Sequence, residues 1–299
     1  MNKKLLIIGL VVIVLGIIVT VSSIIVFLPI SVISGSYILA TPFPEVNDSY
    51  PVYKTITPNI TEEDVKHIGT LFNLSGDVKD YNLSGTFKLV DNSKDPEETL
   101  EVNRISGSFS YRIEGKDFPK STDPLPELPS DEEARTIATQ YLQERGLLPD
   151  DVHFVSVGPK TQGGESGPYS DTVYTFTKRV SFAKEIQGLR AYNAGIGVTI
   201  GDKGKVVGVG NSLKQLEPEP AGYIKIITPE QAYKRLLSDD LVILPLSGRE
   251  GVVRTISLGY WMGVTRDPHE YILPVYVFST DSRWFYVWAV DPSEIDDLQ

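Results

Sequence analysis

From Leu5 to Leu28 the chain runs for 24 residues without a single charge, built mostly of Ile, Val and Leu. As a helix this run is about 36 Å long, enough to cross a hydrocarbon core of about 30 Å. Lys3 and Lys4 precede it and the first acidic residue is Glu45. The positive charge therefore assigns residues 1–4 to the cytoplasm and everything after the helix to the outer side. A cleaved signal peptide is the competing reading. Its apolar stretch spans about 7–15 residues before a small-x-small cleavage site. Here Phe27, Leu28 and Pro29 stand where small residues are wanted, and Ala40 would serve only a late cut. The expectation is a single-pass protein of the cell membrane, with a transmembrane helix at 5–28 and an extracytoplasmic C-terminal part.

The part of the chain beyond the anchor is long enough for one large or two modest domains. The chain has no cysteine, which excludes disulfides, thiolate catalysis and cysteine-ligated metal. Stability must then come from buried apolar area, for which a 41% hydrophobic content is ample. The net charge is -11, of which Lys3 and Lys4 contribute two positive units, leaving the outer part near -13. Such a surface repels nucleic acid and anionic lipid.

Proline punctuates the chain twice. Pro42, Pro44, Pro51 and Pro58 mark residues 29–60 as a stalk, and Pro119, Pro124, Pro126 and Pro129 mark 116–129 as a linker. Asn47, Asn59, Asn73 and Asn82 each head an N-x-S/T triplet. They would be glycosylation acceptors on an exposed region, or chance matches in an Asn-, Ser- and Thr-rich stretch.

Three helix starts carry the same signature. Thr61-Glu-Glu-Asp64, Ser130-Asp-Glu-Glu133 and Thr228-Pro-Glu-Gln231 each pair a capping hydroxyl with an acceptor three residues on. Apolar residues then recur at helical spacing, as in Ala134, Ile137, Ala138, Tyr141 and Leu142. After each helix the period changes to two, the mark of half-buried strands. The expected fold is α+β: repeated helix-plus-antiparallel-sheet units at 61–115, 130–222 and 223–299, behind the transmembrane helix.

One hairpin stands out. Tyr192, Ala194, Ile196, Val198 and Ile200 alternate with Asn193, Gly195, Gly197 and Thr199. A two-residue turn at Asp202-Lys203 would set Gly195 opposite Gly210 and Gly197 opposite Gly208. That leaves a bare patch on one sheet face, filled either by close packing of a neighbouring element or by a peptide or protein partner.

Catalytic patterns fail on their own terms. His67, His153 and His269 are scattered, and Glu63 with His67 on one helix face lacks a third ligand. Ser181-Phe-Ala-Lys184 has S-x-x-K spacing but lies in an expected strand, and Gly164-Glu-Ser166-Gly is one residue short of a nucleophile elbow. No catalytic, cofactor-binding or metal-binding residue is assigned. The aromatics Tyr260, Trp261, Tyr271, Tyr276, Phe278, Trp284, Phe285, Tyr286 and Trp288 crowd the last segment. They fit a core, with any exposed members serving as contact anchors.

These segments carry a family likeness. Val180–Gly210 (VSFAKEIQGLRAYNAGIGVTIGDKGKVVGVG) resembles the PepSY-type module, with its Gly-containing bend and its hairpin through Asp202, Gly204, Val206 and Gly208. Ile256–Phe278, with Leu-Gly-Tyr and Leu-Pro-Val-Tyr, is similar to the closing strands of YycH/YycI-type membrane-anchored regulators. The likeness covers roughly 130–290, with a weaker copy at 61–115. It implies extracytoplasmic modules that regulate a partner, such as a sensor kinase or a peptidase, and it supplies no catalytic residues. The expected function is thus a non-enzymatic, membrane-anchored binding or regulatory protein. A surface hydrolase using carboxylate chemistry and a purely structural envelope protein are the alternatives.

Overall fold

A computed structural model describes residues 36–81, 84–116, 125–163, 173–240, 242–243, 250–263 and 271–290. The apolar run 5–28 lies outside them, and among the described residues no helix is long and apolar enough to cross a membrane. In chain order the elements are β1 (Ser36–Leu39), β2 (Ser49–Ile56), α1 (Glu62–Thr70), β3 (Val78–Tyr81), β4 (Thr86–Asp91), β5 (Glu98–Asn103) and β6 (Phe109–Ile113). Next come α2 (Asp131–Glu144), β7 (Val152–Gly163), β8 (Val173–Ile186), β9 (Leu189–Tyr192), β10 (Ile196–Ile200), β11 (Val206–Asn211), β12 (Gln215–Leu216) and β13 (Gly222–Lys225). Last are α3 (Pro229–Ser238), β14 (Val242–Ile243), β15 (Glu250–Val253), β16 (Thr255–Trp261), β17 (Tyr271–Ser279) and β18 (Trp284–Trp288).

The helices start where the capping pattern puts them. The side chains of Thr61, Ser130 and Thr228 accept from the backbone N–H three residues on, and Asp64, Glu133 and Gln231 return the bond to the cap residue. Each box satisfies two N–H groups that the first helical turn otherwise leaves unpaired. The buried stripes are short, with Val65 and Gly69 in α1, Ala134, Ala138 and Leu142 in α2, and Ala232 and Leu236 in α3.

Sixteen strands hydrogen-bond into one bent system, and β1 pairs separately and in parallel with β15. The bend falls at β8. Its residues Lys178–Phe182 pair with β10, whereas Glu185 and Ile186 pair with β9, which runs parallel to β16. On one side of the bend lies an antiparallel half-sheet in the order β7-β8-β10-β11-β6-β5-β4-β3. α1 and α2 cover one face of it, enclosing Leu89, Leu100, Val102, Val180, Val198 and Ile200. On the other side, β16, β17 and β18 pack against α3 around Leu258, Tyr276, Phe278 and Val287.

The repeated helix-plus-sheet arrangement expected from the sequence does not form. Among the described residues the fold is mostly β, with 48% strand against 17% helix, in a large mixed sheet. Strands following α1 and α2 share one half-sheet, because β6 lies beside β11 with Tyr111 opposite Val209. Strands following α2 and α3 join where Ala191 faces Tyr260. Residues 49–56, inside the expected stalk, form β2 between β17 and the β12–β13 edge, with Val52 fully buried. The physical reason is the strand edge. A unit closed on itself would expose rows of unpaired N–H and C=O groups, and pairing across segments removes them. Alternation locates a strand but does not name its neighbour.

Candidate functional site

The glycine hairpin forms, in a register different from the expected one. Gly197 faces Gly210, Thr199 faces Gly208, and the Gly195 carbonyl accepts from the Ser212 N–H at 2.9 Å. Two local features shift the pairing by two residues. Asp202–Gly204 forms a three-residue 3-10 turn, with Lys203 in the left-handed region (φ 52°) and the Gly201 N–H bonded to the Lys205 carbonyl. A bulge between Thr199 and Ile200 then leaves Val207 without a partner across the ladder.

The consequence is a polar basin on the face of the half-sheet opposite α1 and α2. Val180, Val198, Val209, Tyr111 and Leu100 point into the helix-covered core, so their alternate neighbours point outward. Along one row across the strands these are Ser181, Gly197, Gly210, Ser110 and Glu101. Along the next they are Arg179, Thr199, Gly208 and Arg112. Small side chains therefore floor a concavity of about 300 Å³, with Arg179 on one wall and Glu101, Asn103 and Ser108 on the other.

The two walls differ electrostatically. Glu101 is held by Arg112 Nη2 at 3.4 Å and Lys88 Nζ at 3.6 Å. Arg112 Nε also binds Glu114 at 2.8 Å, and this hydrogen bond holds the Glu114 carboxyl below the usual range. Arg179 instead drapes over Gly197, exposed and with no ion-pair partner among the described residues. The basin thus offers one free guanidinium, a neutralised carboxylate and hydroxyl groups over bare backbone. That is equipment for holding a polar segment, with no nucleophile–base pair within it. The sequence reading located the glycines; Arg179, Glu101 and Ser212 carry no local signal and are found only through the register.

Other singled-out residues do not converge. Ser181 and Lys184 project from opposite faces of β8, as an i, i+3 pair in a strand must, and Lys184 is ion-paired with Asp151. His153 lies 3.8 Å from Glu185 at an exposed position. Glu63 and His67 are solvent-facing on α1. His269 and the Gly164–Gly167 stretch lie outside the described residues, and among the described residues no three His, Asp or Glu side chains cluster as a metal site. Asn47, Asn59 and Asn73 are exposed; Asn82 lies outside the described residues. Most of the late aromatics go to the core, with Tyr260, Tyr276 and Phe278 fully buried. Burial pushes the half-buried Tyr286 phenol up to about 12, while Trp284 stays 44% exposed beside Arg190.

The chain matches no protein-family model and no curated protein. It is similar to the crystal structure of an uncharacterized protein from Eubacterium rectale ATCC 33656, at a TM-score of 0.49 and 12% identity, covering 87% of this chain and 90% of that one.

Proposed function

We propose that the chain is a non-enzymatic, membrane-anchored extracytoplasmic protein that binds and regulates a membrane or envelope protein. The basin lined by Gly195 and Gly210 carries this reading, because it combines half-exposed backbone, hydroxyls and Arg179, which has no ion-pair partner among the described residues, without a reacting group. Bare strand backbone on an open sheet face suits contact with another chain, where a rigid cation fixes orientation. The anchor pattern supports the same reading. β1 begins at Ser36, eight residues after Leu28, so the folded part stays within roughly 28 Å of the apolar run. The likeness to PepSY-type and YycH/YycI-type proteins favours a sensor kinase or a peptidase as the partner class.

The test is a photo-crosslinking residue in place of Ser110, at the basin, or in place of Glu132, on the exposed side of α2, used in intact membranes. The expected result is a discrete adduct with one membrane or envelope protein from position 110, weakened by Arg179→Ala and absent from position 132. Equal labelling from both positions, or none from either, rejects the basin as the partner site.

A further inference from the structure

Asn103 ends β5 on the basin side of the half-sheet, because its alternate neighbours Leu100 and Val102 turn into the helix-covered core. It is only 8% exposed, and it lines the concavity. Its carboxamide is fixed one way round. Oδ1 accepts from the Ile105 N–H at 3.0 Å, the Ser106 N–H at 2.9 Å and the Ser106 hydroxyl at 3.1 Å. Two of these are backbone N–H groups, which only donate, so the oxygen and not the nitrogen faces them. The Nδ2 group is left without an acceptor among the described residues. It is not sealed off, because the unpartnered side-chain atoms closed to solvent belong to Arg145, Thr177 and Arg190. A buried amide bonded on one side and open to a cavity on the other is a donor awaiting an acceptor.

The basin itself supplies no acceptor for it. Glu101 is the one carboxylate in the lining, and Arg112 and Lys88 already hold it. Arg179 lies over Gly197 with no ion-pair partner among the described residues. The two free nitrogen donors stand at opposite ends of the floor. Arg179 reaches over β10 and Asn103 is on β5, with Gly210 of β11 and Ser110 of β6 between them. Three strand spacings of about 4.8 Å make roughly 14 Å. No single carboxylate or phosphate bridges that span, whereas about four extended residues at about 3.3 Å each cover it.

We propose that the basin takes an extended acidic segment of the partner protein, laid across β11 and β6. An Asp or Glu carboxylate of that segment meets the Arg179 guanidinium, and a main-chain carbonyl accepts from Asn103 Nδ2. The proposal rests on the basin being the partner site and adds the chemistry by which the partner is chosen. The half-exposed Gly210 lets the segment's backbone come close to the sheet. The chain as a whole carries a net charge of -11 and repels such a segment, so the local donors select it and general attraction does not.

The test has two arms. In the first, ligand-detected NMR titrates the full-length chain in detergent with the acetylated, amidated peptide Glu-Gly-Gly-Gly, with its Gln-Gly-Gly-Gly counterpart and with acetate. The Glu peptide should saturate in the millimolar range, and the Gln peptide and acetate should bind at least about tenfold more weakly. Asn103→Asp keeps the oxygen that Ile105 and Ser106 bind but puts a charged acceptor where the donor was, and it should lose the peptide. Arg179→Ala, at an exposed position, should weaken the peptide about tenfold. Melting curves identify a variant that fails to fold; the peptide comparison on the parent chain and Arg179→Ala then decide alone. In the second arm, the adduct formed from position 110 in intact membranes is digested and its partner peptide read by mass spectrometry. Asp or Glu should lie within about five residues of the label. Equal binding of the Glu and Gln peptides, acetate as tight as the Glu peptide, a folded Asn103→Asp that binds like the parent, or no saturation at millimolar peptide overturns the proposal. An adduct whose partner peptide has no acidic residue near the label also overturns it, while leaving the partner site standing. No adduct from position 110 rejects the partner site itself and the proposal with it.

Discussion

Arg179 lies so close over Gly197 that a β-carbon built there falls 2.1 Å from Arg179 Nη2. The obstacle is the far end of a flexible side chain, so alanine at 197 is accommodated by swinging the arginine out of the basin. The neighbouring glycines meet different surroundings. At Gly195 the added carbon would fall 2.2 Å from the Phe182 carbonyl oxygen, which belongs to a paired strand, and at Gly210 nothing lies within 4 Å. Gly195→Ala should therefore cost about 2–3 kcal/mol through overpacking. Gly210→Ala and Gly197→Ala should stay within roughly 1 kcal/mol of the parent. Of those two, Gly197→Ala alone should weaken the adduct formed from position 110. Urea unfolding of the three variants checks the order, and a Gly195→Ala protein as stable as Gly210→Ala would refute the close approach.

Tyr260 fastens β2 to the rest of the sheet. Its side chain is fully buried and its hydroxyl donates to the Pro51 carbonyl at 2.9 Å, while burial pushes the phenol pKa upward so that it stays a donor. Tyr260→Phe keeps the packing but leaves a carbonyl without that bond, a loss of about 1–2 kcal/mol. Tyr223→Phe, on the exposed neighbouring strand, should change unfolding by less than roughly 0.5 kcal/mol. The urea midpoints of the pair measure the difference.

How far the sequence could be read depended on the range of the interaction. Capping at Thr61, Ser130 and Thr228 involves residues three apart, so all three helix starts were legible. Strand positions were nearly as clear, since the period of two after the first helix falls on β4, whose burial alternates along Thr86–Asp91. Strand partners were not. Tyr192–Ile200 looks like one strand, yet Asn193 takes a positive φ and sends Tyr192 to pair with Trp261, while Ile196–Ile200 stays in the other half-sheet. The hairpin register missed by two residues because a bulge and a three-residue turn leave no distinctive local composition. β2 was hidden by prolines that suggested a stalk, although Pro51 sits within a strand facing Tyr223.

The position of β1 sets where a released domain can begin. Tyr37 is buried against Phe285 at a ring separation of 5.0 Å, and its carbonyl accepts from the Tyr233 hydroxyl at 2.8 Å. A chain starting at Glu45 loses this strand, uncovers the edge of β15 and empties the space beside α3. It should be less stable than one starting at Ser36 by about 3–5 kcal/mol, the cost of removing a buried aromatic side chain. Denaturant unfolding of the two truncations checks this, and equal midpoints would show that β1 adds nothing to the fold.

Asp91 gives the fold a defined acid limb. It ends β4 almost wholly buried, accepting from the Ser93 hydroxyl at 2.6 Å, the Ser75 N–H at 2.9 Å and the Ser93 N–H at 3.1 Å. The Ser93 hydroxyl bond, then the Ser75 backbone bond, hold its carboxyl down at about 2. An unfolded aspartate titrates at about 3.9. Because the folded value is the lower one, the carboxylate stabilises the native state fully above about pH 4. That contribution fades as pH falls toward 2 and is gone below it. Asp91→Asn should therefore be less stable than the parent at pH 7, with the gap narrowing steadily between about pH 4 and pH 2. Urea midpoints at pH 7, 4 and 2.5 measure it. A gap that stays constant over that range would mean that Asp91 acts through shape alone, and that the loop after α1 is tied to the β4–β5 turn without help from its charge.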